Sequence, residues 1–514
     1  MATSAMLADF ETNLLPAERC ILQHSRCGTQ CKLSSKLPSE PAPDIKVRAE
    51  FIRFLIMGGD ASTHVHEFGL DIKGAWIVGD INLSGCVAER RLFLDCCHLE
   101  DGLTFIDACL KTIFIEGCYL ARIRGQRSTL ESFAVRFGST VAEAVRLSNI
   151  TTTGFLSFRD AILHAPHVDP SVLRVSLALE TASIGGDLFL NCCAHGHLAL
   201  EGCHVAKDLI LSGGKFYPPP SNDHLYDKVG FAVDLSRIVV GGTLWLAPNV
   251  KVCKDPARIF GDLDLRNAKV GGLADCRESL PRYELPEQQE VRPRVWLDGF
   301  KFEHLVGEKA TDFAVRSAWL EQQPASADGV DFRPQPFEES VAALRRSSHF
   351  EAARCIGELQ QKRAYHFYMA QRPALRPLIV LLMWAHWWIL GFGYRLHRLV
   401  CAMAFMWLAF ALIYASQRHH FVPVSPAVLL NEKFEGCREK WITCTALSSE
   451  YERFNALIYS GDVMLPFVPL AHGKNWMPSW QSWWLRGLVF LQGILGWACG
   501  LYVVALVTGA IRRA

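Results

Sequence analysis

Neither sign of charge prevails in this chain: 53 basic and 52 acidic side chains leave a formal net charge of +1. That balance lacks the surplus that a nucleic acid or other polyanion requires, so no nucleic-acid partner is expected. Motifs for cofactor chemistry are missing as well. A dinucleotide site needs glycines at GxGxxG between a strand and a helix, so that backbone can approach the pyrophosphate. The nearest phrase, Gly391-Phe392-Gly393-Tyr394-Arg395-Leu396, lacks the third glycine. No CxxC pair, CxxCH haem attachment, P-loop, nucleophile elbow or zinc-hydrolase helix occurs. Met1 to Arg19 holds Asp9, Glu11 and Glu18 and no long apolar run. No signal peptide is therefore expected, and the large N-terminal region should stay in the cytoplasm. This reading assigns no catalytic, cofactor-binding or metal-binding residue and leans away from an enzyme. Acids such as Asp187, Asp262 and Asp264 lie in or beside the repeats described next, where solvated outward carboxylates are the ordinary expectation. Missing motifs do not exclude an enzyme, since β-solenoid lyases and hydrolases build sites from scattered surface acids.

What the chain has is a repeat. The phrase apolar, any, apolar, two of any kind, small can be read twelve times, from Ile81-Leu83-Cys86 to Val295-Leu297-Phe300, many copies 10 or 11 residues apart. Alternation puts the two large residues on one face of a short strand. The small residue follows at a corner. Units that bury one narrow face each must stack to make a core, which predicts a single-stranded β-helix, or solenoid, in a mainly β protein. Cys86, Cys97, Cys118, Cys193 and Cys203 fill the small position, where a free thiol packs as a compact hydrophobe. The 18 cysteines thus fit a reducing compartment. Gly79-Asp80, Gly185-Gly186, Gly241-Gly242 and Gly261-Asp262 suit tight corners needing positive φ.

Composition divides the chain into segments. Residues 1–67 hold a capping helix over Asp44 to Met57, with Val47, Phe51 and Leu55 on one face. Cys20, His24, Cys27 and Cys31 are ligand-like in type, but their spacing matches no standard zinc arrangement. Residues 68–302 are the solenoid, with 122–153, 216–230 and 272–294 expected to loop out; Pro218-Pro219-Pro220 cannot join a ladder. Such loops are where an unidentified protein partner would bind. Residues 303–373 form a helical hairpin around Ser347-Ser348-His349. Residues 374–398 read as an interfacial helix, because Trp384, Trp387 and Trp388 favour the headgroup level. His386 and His397 lie beside tryptophans and arginines, which favours interfacial positions over haem ligation.

Residues 399–514 are read as a two-span membrane domain with an outer loop over 416–486. Leu399 to Ala415 and Gly487 to Ile511 carry no charge and are long enough to cross lipid. Arg395, Arg398, Arg512 and Arg513 flank them and place both ends in the cytoplasm, hence in the inner membrane. In the outer loop, Cys437 and Cys444 are candidates for a disulfide. Gly493, Gly496 and Gly500 are helix-packing candidates, on the first span or in a homo-oligomer. A short helix over Tyr451 to Leu465, broken by Pro466 and Pro469, has the layout of a pore loop. In that alternative Tyr459, Ser460 and Asp462 line the pore. A helix lying on the lipid surface explains the same pattern.

Three stretches carry a family resemblance: Pro334-Gln335-Pro336-Phe337-Glu338 with Ala342-Ala343-Leu344-Arg345-Arg346, Gly391-Phe392-Gly393-Tyr394-Arg395, and Asn455-Ala456-Leu457-Ile458-Tyr459-Ser460 with Leu495-Gly496-Trp497. From about Asp44 to Arg513 the chain resembles bacterial membrane proteins that pair a pentapeptide-like or bactofilin-like β-solenoid with a C-terminal two-span region. The resemblance implies a membrane-associated oxidoreductase by label and a channel-like two-span region, but defines no catalytic residue. Three functions stand at this point: a membrane-anchored scaffold or sensor, an oligomeric pore gated by the solenoid, and an oxidoreductase.

Overall fold

Each inward-facing leucine finds its partner about two repeat copies later. Ile81 pairs with Leu103, Leu103 with Ile123, and Ile123 with Val145. The column continues through Leu177, Leu198, Val233 and Leu263 to Val295. The intervening copies form a second column from Leu70 through Leu92, Ile113, Phe133, Leu156, Leu188, Leu209 and Leu244 to Leu273 and Leu305. Every one of these pairings is parallel. They belong to a computed structural model that describes residues 14–165, 174–219, 231–282, 293–324, 332–390, 396–438, 441–444, 447, 451–465 and 472–507, with Leu7 and Phe10. The chain divides into two compact units, residues 1–360 and 361–514.

The first unit holds three large parallel sheets of fifteen, nine and nine strands. The fifteen-stranded sheet carries two columns, because eight-residue strands such as Cys109–Glu116 and Thr129–Arg136 serve both. A further column of Trp76, His98, Tyr119, Thr140, Ile162 and Cys193 belongs to the second sheet. One apolar core runs from Leu7 to Ile356. Its leucines are nearly all fully buried, each stabilising by about 1.5–3 kcal/mol against exposure.

Several sequence expectations are corrected here. Residues 122–153 do not loop out: Ile123–Arg124, Thr129–Arg136, Thr140–Val141, Val145–Arg146 and Thr151–Thr152 are all paired strands. Their phrase is disguised because Gly125 stands where a large residue is usual, and the Phe105 ring and Leu147 occupy the space a side chain would need. In the other two stretches Lys215–Tyr217 and Lys269–Ala274 are strands, whereas 220–230 and 283–292 lie outside the described residues. Gly185, Gly186, Gly241 and Gly242 are absent from the positive-φ backbone positions. Their want of a side chain serves close approach instead, since an added Cβ on Gly185 or Gly241 would meet the Thr153 or Ala206 carbonyl. The left-handed corner lies one residue before the small position, at Cys96, Asp107, Arg127, Asn149, Asp160, Thr181, Arg237 and Asn267. Cys193 is only half-buried; its copy is one residue short, so Cys192 takes the interior place.

Helices cover both ends of the sheets. Helix α1 (Pro16–Cys27) is tied down by buried Glu18, which accepts from the Arg48 backbone N–H at 3.0 Å and from its guanidinium. The expected capping helix is shorter than Asp44 to Met57. Lys46–Arg48 is a strand paired with Trp76–Val78, and α2 covers only Ala49–Ile56. Arg53 of α2 donates to the Asn82 carbonyl on the end strand Ile81–Asn82. At the other end follow α3 (Phe313–Glu321), α4 (Pro334–Arg346) and α5 (Phe350–Gln371). Gln335 accepts from Gly299 N–H at 2.9 Å and donates to Phe300 O at 3.1 Å, and Arg346 donates to Phe302 O at 2.7 Å. Beneath them Asp275 and Arg316 form a buried ion pair. Burial raises the Asp275 carboxyl above its ordinary value, against the pull of Arg316.

The second unit contains α6 (Arg376–Ala385), α7 (Leu396–Ser416), α8 (Ala456–Met464) and α9 (Trp483–Val507). His397–Ser416 and Trp483–Ala505 are long and apolar enough to cross a membrane. Residues 391–395, Pro466, Pro469 and Arg512-Arg513, all used in the sequence reading, lie outside the described residues.

Candidate functional site

Three places gather chemistry. In the second unit, Asn455 caps α8 by accepting from Leu457 N–H at 3.0 Å, and the helix begins at Ala456, five residues later than the start expected at Tyr451. Helix α8 then lies between the two long helices through a buried polar network. Tyr414 donates to Gln492 Oε1 at 2.7 Å, and Gln492 Nε2 donates to Ser460 Oγ at 2.7 Å and to its carbonyl at 3.0 Å. Ser460 Oγ donates in turn to the Trp407 carbonyl at 2.9 Å. Ser460 and Gln492 are both fully buried. Tyr459 packs its ring against Tyr414, Phe421 and Phe454 at 5.0–5.7 Å. Asp462 is half-buried, and its Oδ2 accepts from Gly473 N–H at 2.6 Å. Tyr459 and Ser460 thus face the interior of a single chain.

The glycines differ among themselves. An added Cβ on Gly496 would collide with the Met464 carbonyl, so this glycine seats α9 on the end of α8. Gly493 has open space around it and Gly500 is half-buried. Cys437 and Cys444 form a disulfide. The sequence reading missed Gln492, whose signal was a lone amide within an uncharged run.

On the outer face of the second sheet, flat rings stack along the pairing direction. Trp76 lies 3.7 Å from His98, and His98 lies 4.8 Å from Tyr119. Farther on, His164, His195, Tyr217 and Phe260 follow one another at 5.2, 5.0 and 4.7 Å. An open groove beside them is lined by Glu143, His164, Arg174 and His195. Desolvation lowers the His98 imidazole below its ordinary value of 6.5, and lowers His195 too, with His164 adding to the shift. Both rings are therefore neutral at physiological pH. These columns were legible as aromatic residues one or three places after the small position.

The third place is the N-terminal Cys/His group. Cys20 and His24 sit one turn apart on α1, and Gly28, left-handed at φ 65°, ends that helix and reverses the chain. Cys31 then begins a strand paired with Leu70–Lys73. Ligand atoms of Cys20, His24 and Cys31 come within 4.8 Å of one another. Cys27 stands apart, exposed. Spacing alone hid this set, because its third member arrives through strand pairing. No family model matches this chain, and no curated protein is significantly similar to it.

Proposed function

We propose that residues 68–302 are a four-sided β-solenoid and that the chain is a membrane-anchored scaffold or sensor, with the solenoid in the cytoplasm and the two long apolar helices in the inner membrane. The observation that carries this reading is the succession of parallel pairings from Lys46 to Leu305 around one core, shifted only locally near Val175, Phe231 and Val240, in a chain that also holds two apolar helices of spanning length. Two repeat copies make one coil, and each coil adds a strip to every face. Such a body offers extended flat surfaces rather than a deep cleft. The outer face of the second sheet, with its neutral stacked rings, is the surface offered to a protein partner. The pore alternative gains little support, because Tyr459 and Ser460 are engaged inside one chain. The oxidoreductase implied by resemblance gains none from the residues.

The test combines topology and activity on the full-length protein. Protease added to inverted inner-membrane vesicles should digest the region before Gln361 and spare the Cys437–Cys444 loop. Purified protein in planar bilayers should pass no current and show no visible-absorbing cofactor. A conductance altered by Asp462→Asn would replace the scaffold with the pore.

A further inference from the structure

We propose that Cys20, His24 and Cys31 form a binding site for a soft divalent cation, zinc by chemical class, that fastens α1 to the first sheet. Thiolate and imidazole together select such an ion over magnesium or calcium, which take oxygen ligands. Two thiolates and one neutral imidazole would cancel its charge. The three ligands come from rigid elements: Cys20 and His24 from one face of α1, Cys31 from a strand held by Leu70–Lys73. Cys31 Sγ lies 3.0 Å from Cys20 Sγ, so the helix and the strand bring their two sulfurs to one point. Thr29 Oγ1 lies 2.9 Å from His24 Nδ1, the kind of outer partner that fixes the tautomer of a ligating histidine and leaves Nε2 for the ion. Cys20 and His24 are half-buried, which leaves the fourth coordination position to water or to a partner's side chain.

The test uses the full-length chain in detergent, reduced and stripped by chelator, then titrated with Co²⁺ and competed with Zn²⁺. One equivalent should bind, with thiolate-to-cobalt charge-transfer absorption and visible bands of a tetrahedral ion. Cys20→Ser and His24→Ala, both at half-buried positions, should each weaken binding about 100-fold, with a far-ultraviolet dichroism spectrum like that of the parent chain. Thr29→Ala should weaken it about 10-fold. Cys27→Ser should change nothing. Absence of stoichiometric binding, or equal damage from Cys27→Ser, would overturn the proposal. So would a Cys20–Cys31 disulfide found by alkylation and peptide mass in protein isolated without reductant.

Discussion

Phe133→Ala tests the stacked-coil reading where the packing is densest. The ring is fully buried, 5.5 Å from Phe105 on one side and 6.3 Å from Phe158 on the other. Truncating such a residue costs about 3–5 kcal/mol, from lost transfer energy and the cavity left behind. Its strand, Thr129–Arg136, pairs with Cys109–Glu116 below and with Thr151–Thr152 and Leu156–Ser157 above, so two neighbouring coils share the damage. In a stack where each coil touches only its neighbours, that loss stays local. Amide exchange, read by mass spectrometry on the full chain in detergent, should accelerate about 100- to 5000-fold between Cys109 and His164. Protection over Leu70–Asp95 and Asp262–Leu305 should hardly change. A uniform loss across the unit would refute the reasoning, because it would mean one globular cooperative core. A local effect below about 1 kcal/mol would refute the assigned packing.

Other outcomes follow from the same structure. Arg316→Met strands the Asp275 carboxylate in the core and should cost about 3–5 kcal/mol in chemical denaturation, whereas replacing both partners with apolar residues should recover most of it. His98 and His195 have folded-state values below 6.5, so the unfolded chain takes up protons first. Their contribution is complete above about pH 6.5 and is lost as pH falls from there through the folded values. The melting temperature of the first unit should drop across that window, and less so in His195→Gln; a flat profile would contradict the desolvated column. Gly496→Val must push α9 away from the Met464 carbonyl and should cost about 1–3 kcal/mol in detergent unfolding, while Gly493→Val should be nearly neutral. Equal effects of the two would remove the assigned role of Gly496.

The period of the β region was plain in the sequence because burial on one face of a short strand demands alternation, and leucine met that demand in most copies. It was lost where neighbours had filled the volume, as at Gly125, and where a copy ran one residue short, as at Cys192-Cys193. The corner conformation was marked only in part: Gly85, Asp107, Gly117, Asn149 and Asp160 suit a left-handed φ, whereas Cys96, Arg127 and Thr181 adopt the same φ against their type. The long apolar helices were legible from hydropathy. Their connection through Gln492 and Ser460 was not, since the two residues are 32 apart and meet only when α8 folds back. The Cys/His set lay beyond spacing rules for the same kind of reason, one ligand being delivered by a sheet.

The helices over the terminal strands bear on how copies of this protein meet. A parallel ladder is an open template, and its last strand can recruit the first strand of another molecule into a growing fibre. Here Arg53 occupies a carbonyl on Ile81–Asn82, and Gln335 and Arg346 occupy backbone groups on the last turn of chain. A partner strand would have to displace these side chains before it could pair. End-to-end growth by strand addition is thereby obstructed at both ends of the ladder.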